Sequence, residues 1–132
     1  MHSPTKVTLI LLLLFFSIGV AKAQTAAISS GLKMSPVEEF KAELESVPCD
    51  NKARLNAVKA LFEKMGAAAG DIEVEDSKGV ANVIIRKPGA SSETIIIGAH
   101  YDKVSAGCGA IDNWTGIVSI AHLYRTVKDL PL

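Results

Sequence analysis

Val37, Phe40, Leu44 and Val47 are spaced by three and four residues, which predicts a helix with one apolar stripe. Its start is written in Ser35-Pro36-Val37-Glu38: a hydroxyl that can cap, a proline suited to the first helical position, and an acidic residue where a capping box wants it. Pro48 stops this helix. Glu38, Glu39, Glu43 and Glu45 read as its solvated face. Asp50 can cap a second helix, with Leu55, Val58, Leu61, Phe62 and Met65 as its buried face and Gly66 at its end.

The period then changes. Ile72-Glu73-Val74-Glu75 alternates as a half-exposed strand does, and Lys78-Gly79 is a turn into a second strand, Val80 to Arg86, so the two predict a hairpin. Pro88 to Ser92 breaks the chain. Thr94 to Ala99 is a continuous β-branched run without polar alternation, which predicts an interior strand covered on both faces. A Gly-rich loop (Ser105 to Gly109) leads to a last helix from about Thr115 to Asp129, with Ile117, Ile120, Ala121, Tyr124 and Val127 on one face. The element order αα-ββ-β-loop-α predicts an α/β layer fold.

The first 23 residues follow another logic. Lys6 gives a positive start, Val7 to Val20 is a largely apolar run, and Ala21-Lys22-Ala23 is a small-x-small cleavage pattern, so residues 1–23 read as a signal peptide cut before Gln24. The run is shorter than the roughly 18–20 residues that span a bilayer. A secreted or periplasmic chain with no membrane association after cleavage is the expectation. Residues 24–34 read as a flexible lead-in, and residues 35–132 as the structured part. Cleavage leaves 109 residues, with 12 basic against 14 acidic side chains because Lys6 and Lys22 leave with the leader. That balance excludes the basic footprint of a nucleic-acid binder. Two cysteines exclude a disulfide-dense scaffold. Whether Cys49 and Cys108 pair is open at this stage, because Cα separation decides it. Cys108 has no cysteine-protease signature around it, which favours a loop residue or disulfide partner over a nucleophile.

Candidate chemistry concentrates in Gly98-Ala99-His100-Tyr101-Asp102 and in Asp112-Asn113-Trp114-Thr115-Gly116. A His at the C-terminal end of a strand stands where open α/β sheets place their sites. Its imidazole can take a metal on one nitrogen while the other donates to Asp102, which fixes the tautomer. Asp112 follows a glycine-containing loop that can turn back toward His100, and a carboxylate can bridge two cations. By spacing alone the signal is modest: Asp112 can equally cap the last helix, and Asp102 can be a turn residue. Tyr101 and Trp114 fit either a cleft border or packing. His122 reads as a partly buried helix residue and no ligand. Asn113-Trp114-Thr115 matches a glycosylation sequon, read here as a chance match.

The full string is more specific. Ile-Ile-Ile-Gly-Ala-His-Tyr-Asp-Lys-Val, then Gly-Ala-Ile-Asp-Asn-Trp-Thr-Gly running into an apolar helix, resembles the zinc aminopeptidases of clan MH, over about Ala81 to Leu132. The resemblance implies part of a phosphorylase/hydrolase-like three-layer fold with a mixed sheet, cut after its first half. It implies that His100 is a ligand of one zinc, Asp112 the carboxylate bridging two, and Asp102 the partner that orients His100. It also implies a cis peptide after Asp112 and a peptide or protein substrate. The family's adjacent Glu-Glu pair, which supplies the general base, and its further Asp and His ligands would follow the last helix and are not in this sequence. The 24–132 polypeptide alone is therefore expected to be inactive, to bind zinc weakly, and to be marginal or sticky. A glutaminyl cyclase or carboxypeptidase on the same scaffold is the first alternative. A non-catalytic binding protein of that fold, as among transferrin-receptor-like relatives, is the second.

Overall fold

In the computed structural model, residues 32–131 are described. The proposed signal peptide, and residues 24–31 of the lead-in, lie outside that range. From Lys33 onward the chain forms one unit. Its elements are α1 (Val37–Glu45), α2 (Asn51–Lys64), a short 3-10 turn (Ala69–Asp71), β1 (Ile72–Ser77), β2 (Val80–Ile85) and, after a long irregular stretch, α3 (Thr115–Val127).

The second helix begins and ends as its sequence dictates. The Asp50 side chain accepts the Ala53 N–H at 2.8 Å, and Gly66 leaves the helix at φ +99°. Ala67 N–H then returns to the Phe62 carbonyl at 2.9 Å, closing the C-terminal turn. The first helix starts differently from expectation. Pro36 occupies the N-cap position in extended conformation and no side chain caps the helix. The Ser35 hydroxyl lies instead 2.6 Å from His122 Nδ1, so this serine ties the chain before α1 to α3. The helix closes at Glu45, short of Val47.

The core is built from Val58, Leu61, Phe62 and Met65 of α2, Ala67, Trp114, and Ile117, Val118 and Ala121 of α3. Phe40, Leu44 and Val47 pack on it from the α1 side. Two further expectations are corrected. Val37 is exposed, because the helix turns its first residue away from α3. Glu39 and Glu43 are not on a free solvated face: Glu39 meets Arg125 at 2.6 Å, and Glu43 bonds Lys64. They stand where α1 faces the polar margins of α3 and α2, so the ion pairs close the sides of the helical layer.

β1 and β2 form the expected antiparallel hairpin, in register from Ile72↔Ile85 to Ser77↔Val80. Lys78 and Gly79 both have positive φ, at 56° and 81°, the type I′ geometry that matches strand twist in a two-residue loop. Asp76 Oδ1 accepts the Gly79 N–H at 3.1 Å.

The predicted interior strand, Thr94–Ala99, is overturned. It joins no ladder, the sheet among the described residues has only the two hairpin strands, and Ile95, Ile96 and Ile97 are 87%, 89% and 57% exposed. A β-branched run has the propensity for a strand, but a strand exists only when neighbouring backbones take its N–H and C=O groups. Here no neighbour does. The helices and the small sheet make an α/β arrangement; the mixed three-layer sheet is not among the described elements. No helix among the described residues is long and apolar enough to cross a membrane.

Candidate metal centre

The irregular stretch from 98 to 114 brings the expected side chains together. His100 Nδ1 lies 3.2 Å from both the carbonyl and Oδ1 of Asp102, and Nε2 lies 3.0 Å from Asp112 Oδ1. Partial burial would lower the pKa of His100. The Asp102 carbonyl and carboxylate, together with the Asp112 carboxylate, outweigh it and raise the imidazole above its ordinary value.

Asp112 reaches this position through an abrupt change of backbone direction. Gly109 adopts φ +59°, and a Cβ there would meet the Asp112 carbonyl at 2.7 Å, so glycine is needed for both reasons. From Ala110 to Trp114 the chain makes one wide turn, with the Trp114 N–H on the Gly109 carbonyl at 3.2 Å. Within it Asp112 and Asn113 leave helical dihedrals, and the peptide between them is cis. The side chain that serves the start of α3 is that of Asn113, whose Oδ1 accepts the Gly116 N–H at 3.2 Å. Asp112 is therefore released from capping, and its side chain is 84% exposed.

The donor pair suits a divalent cation. Two ligands of a tetrahedral zinc with bonds of about 2.0–2.1 Å stand about 3.3 Å apart, close to the 3.0 Å between His100 Nε2 and Asp112 Oδ1. Asp102 stands at the opposite ring nitrogen, where it could accept a hydrogen bond from Nδ1. No group of three or more His, Cys, Asp or Glu side chains with metal-holding geometry occurs among the described residues. Among the described residues the pair offers one nitrogen and one carboxylate as potential donors.

Tyr101 and Trp114 turn out to be packing residues. Tyr101 donates its hydroxyl to the Ala81 carbonyl at 2.8 Å, and Trp114 is buried with its indole N–H on the Glu43 carbonyl at 2.9 Å. His122 is buried at 6% exposure on α3, its ring 5.0 Å from that of Phe40 and tilted 51° to it, and takes no part in the centre. Burial lowers its pKa.

The thiols are paired. Cys49 and Cys108 form a disulfide with a Cα separation of 4.4 Å, joining the residue before the α2 cap to the loop ahead of Asp112. Sequence reading missed the rest of this attachment. Asn51 Oδ1 accepts the Lys103 N–H at 2.9 Å while its Nδ2 donates to the Lys103 carbonyl at 3.3 Å. Arg54 is completely buried and donates to the carbonyls of Tyr101, Cys108, Gly109 and Pro48. A signal for Arg54 was present: it lies four residues before Val58 and eleven before Met65, on the helix face that the apolar residues mark as buried. Leu55, expected on that face, is only half-buried.

Residues 82–131 match the profile of Peptidase family M28. Leucine aminopeptidase 1 of Aspergillus oryzae is 34% identical over 80 residues, covering 53% of this chain and 21% of that protein. A probable leucine aminopeptidase of Trichophyton verrucosum is 31% identical over 81 residues, covering 55% and 22%. The chain thus spans about a fifth of the length of the curated relatives it matches. No solved structure matches significantly.

Proposed function

Because residues 82–131 match the profile of Peptidase family M28, we propose that the chain contributes to an exported zinc aminopeptidase that cleaves N-terminal residues from peptides. The observation that carries this reading is the approach of His100 Nε2 and Asp112 Oδ1 to 3.0 Å, with Asp102 on the opposite ring nitrogen. The names of the relatives favour an aminopeptidase over the cyclase or carboxypeptidase alternatives.

His100 and Asp112 would hold the metal, and the Asp112 side chain is exposed enough for a carboxylate to serve as a ligand. The chemistry that zinc would supply there is Lewis acidity toward the scissile carbonyl and activation of water near neutral pH. Asp102 holds the His100 ring in one orientation and keeps the proton on Nδ1, so that Nε2 presents its lone pair to the cation. The Asn113 cap leaves Asp112 free to coordinate. No general-base role is assigned to a residue among 32–131. A polypeptide of residues 24–132 assayed by itself is expected to be inactive and to bind zinc weakly. Its exposed Ile95-Ile96-Ile97 run makes it prone to self-association.

The test is metal content and hydrolysis of leucine p-nitroanilide by the full-length product, beside a His100→Ala variant. The reading expects bound zinc and turnover in the first and loss of both in the second. A product that folds, holds no zinc and leaves the substrate intact would support the non-catalytic alternative instead.

A further inference from the structure

Arg54 is 0% exposed, yet its direct partners are four backbone carbonyls and the face of Trp114, 5.2 Å from the ring centroid, and no carboxylate. Taking a guanidinium out of water costs several kcal/mol in effect unless its donors are well used. Here all three nitrogens are used. Nε donates to the Tyr101 carbonyl, Nη1 to those of Cys108 at 2.6 Å and Pro48 at 3.3 Å, and Nη2 to that of Gly109 at 3.2 Å. These acceptors lie on separate pieces of chain. Tyr101 sits between His100 and Asp102. Gly109 opens the turn that delivers Asp112, and its carbonyl also takes the Trp114 N–H. One rigid planar group therefore connects the segment carrying the imidazole to the segment carrying the carboxylate. Both segments are otherwise irregular and lack a ladder of their own.

We propose that Arg54 is the positioning residue of the metal centre: its guanidinium bridges the two segments and sets the separation of His100 and Asp112 before a cation arrives. This rests on the metallopeptidase reading above. The role needs a fork. Lysine keeps the charge but has one nitrogen with three donors, and cannot span acceptors on three pieces of chain. A centre without its bridge must order both segments at the moment of binding, and that ordering is subtracted from metal affinity.

The experiment uses the metal-free full chain, its Arg54→Lys variant and a His100→Ala variant. Zn(II) affinity is measured by competition with a chromophoric chelator, Co(II) binding by visible absorption, and folding by a thermal melt. Arg54→Lys is expected to melt cooperatively, bind Zn(II) at least about tenfold more weakly and shift the Co(II) band, by analogy with losses seen when groups that orient ligands are removed. A folded Arg54→Lys protein with wild-type Zn(II) affinity and an unchanged Co(II) band overturns the positioning role and leaves the metal reading standing. A His100→Ala protein that still gives the wild-type Co(II) spectrum overturns the metal reading, and the role of Arg54 with it. Should Arg54→Lys fail to fold, hydrogen exchange on the wild-type chain decides. Coupling through Arg54 expects Zn(II) to slow amide exchange across residues 51–57 as well as 100–112; slowing confined to 100–112 overturns it.

Discussion

Replacing both Cys49 and Cys108 by serine removes a crosslink between positions 59 apart in sequence. In the chain-entropy account, a closed loop of that length withholds about 14 cal/mol/K from the unfolded ensemble, or about 4 kcal/mol at room temperature. The folded state gives little of this back, because Arg54 and Asn51 still hold the same loop through the Cys108, Gly109 and Lys103 main chain. The loss should therefore appear almost wholly as lowered stability. Guanidinium unfolding of the full chain, followed by the fluorescence of buried Trp114, is the assay. The midpoint should fall in the double serine variant, and equally in wild type under a reductant. Zinc affinity of the folded variant should remain near wild type, in contrast to Arg54→Lys. A stability change under about 1 kcal/mol would refute the reasoning, since it would mean that the unfolded chain was already constrained there. A collapse of zinc affinity would show the disulfide, not the arginine, to be the brace.

Other outcomes follow from single residues. His122 has a folded pKa lowered by burial, among Glu39, Glu43, Arg125 and Lys64, whereas an unfolded histidine titrates near about 6.5. The unfolded state thus binds more protons, and the contribution of His122 is present above that value and lost as pH falls through the folded pKa. Melts from about pH 7.5 to about 5.5 should show a steeper decline in wild type than in His122→Gln; equal slopes would exclude it. His100, with a raised pKa, works in the opposite sense in both proteins. Gly109→Ala forces a side chain into φ +59° against the Asp112 carbonyl, and should cost about 1–3 kcal/mol in a melt and weaken zinc binding in a titration. Lys78→Asn relieves a lysine at φ 56° in a type I′ turn and should raise stability by about 0.5–1 kcal/mol, measured by denaturant midpoint.

What sequence pattern conveyed was what local physics determines. The α2 boundaries were legible because Asp50 and Gly66 act on backbone groups within a turn of themselves. Lys78-Gly79 was legible for the same reason. The run at Ile95–Ile97 misled because its strand character is conditional on partner backbones that residues 32–131 do not provide. Glu39 and Glu43 were misplaced because a charge on a helix reads as solvated until its counterion, Arg125 or Lys64, arrives from another element. In the centre, His100, Asp102 and Asp112 were visible as residue types whose chemistry suits a cation. The division of labour after Asp112 was not, since Asp and Asn are both good caps and only the turn geometry gives that task to Asn113. Arg54 escaped for a related reason. Its acceptors are carbonyls, which every residue has and no side-chain pattern records.

The Asn113 cap also bears on the choice of host for making this protein. A glycosylating secretory pathway meets Asn113-Trp114-Thr115 while the chain is still emerging, before Trp114 is buried. A sugar on Asn113 Nδ2 would have to share the space beside Gly116 and the Ala99 methyl, where even one added carbon on Gly116 would lie 2.8 Å from that nitrogen. Crowding at that nitrogen disfavours the modification, and the intact mass of correctly folded material from such a host should show this asparagine bare.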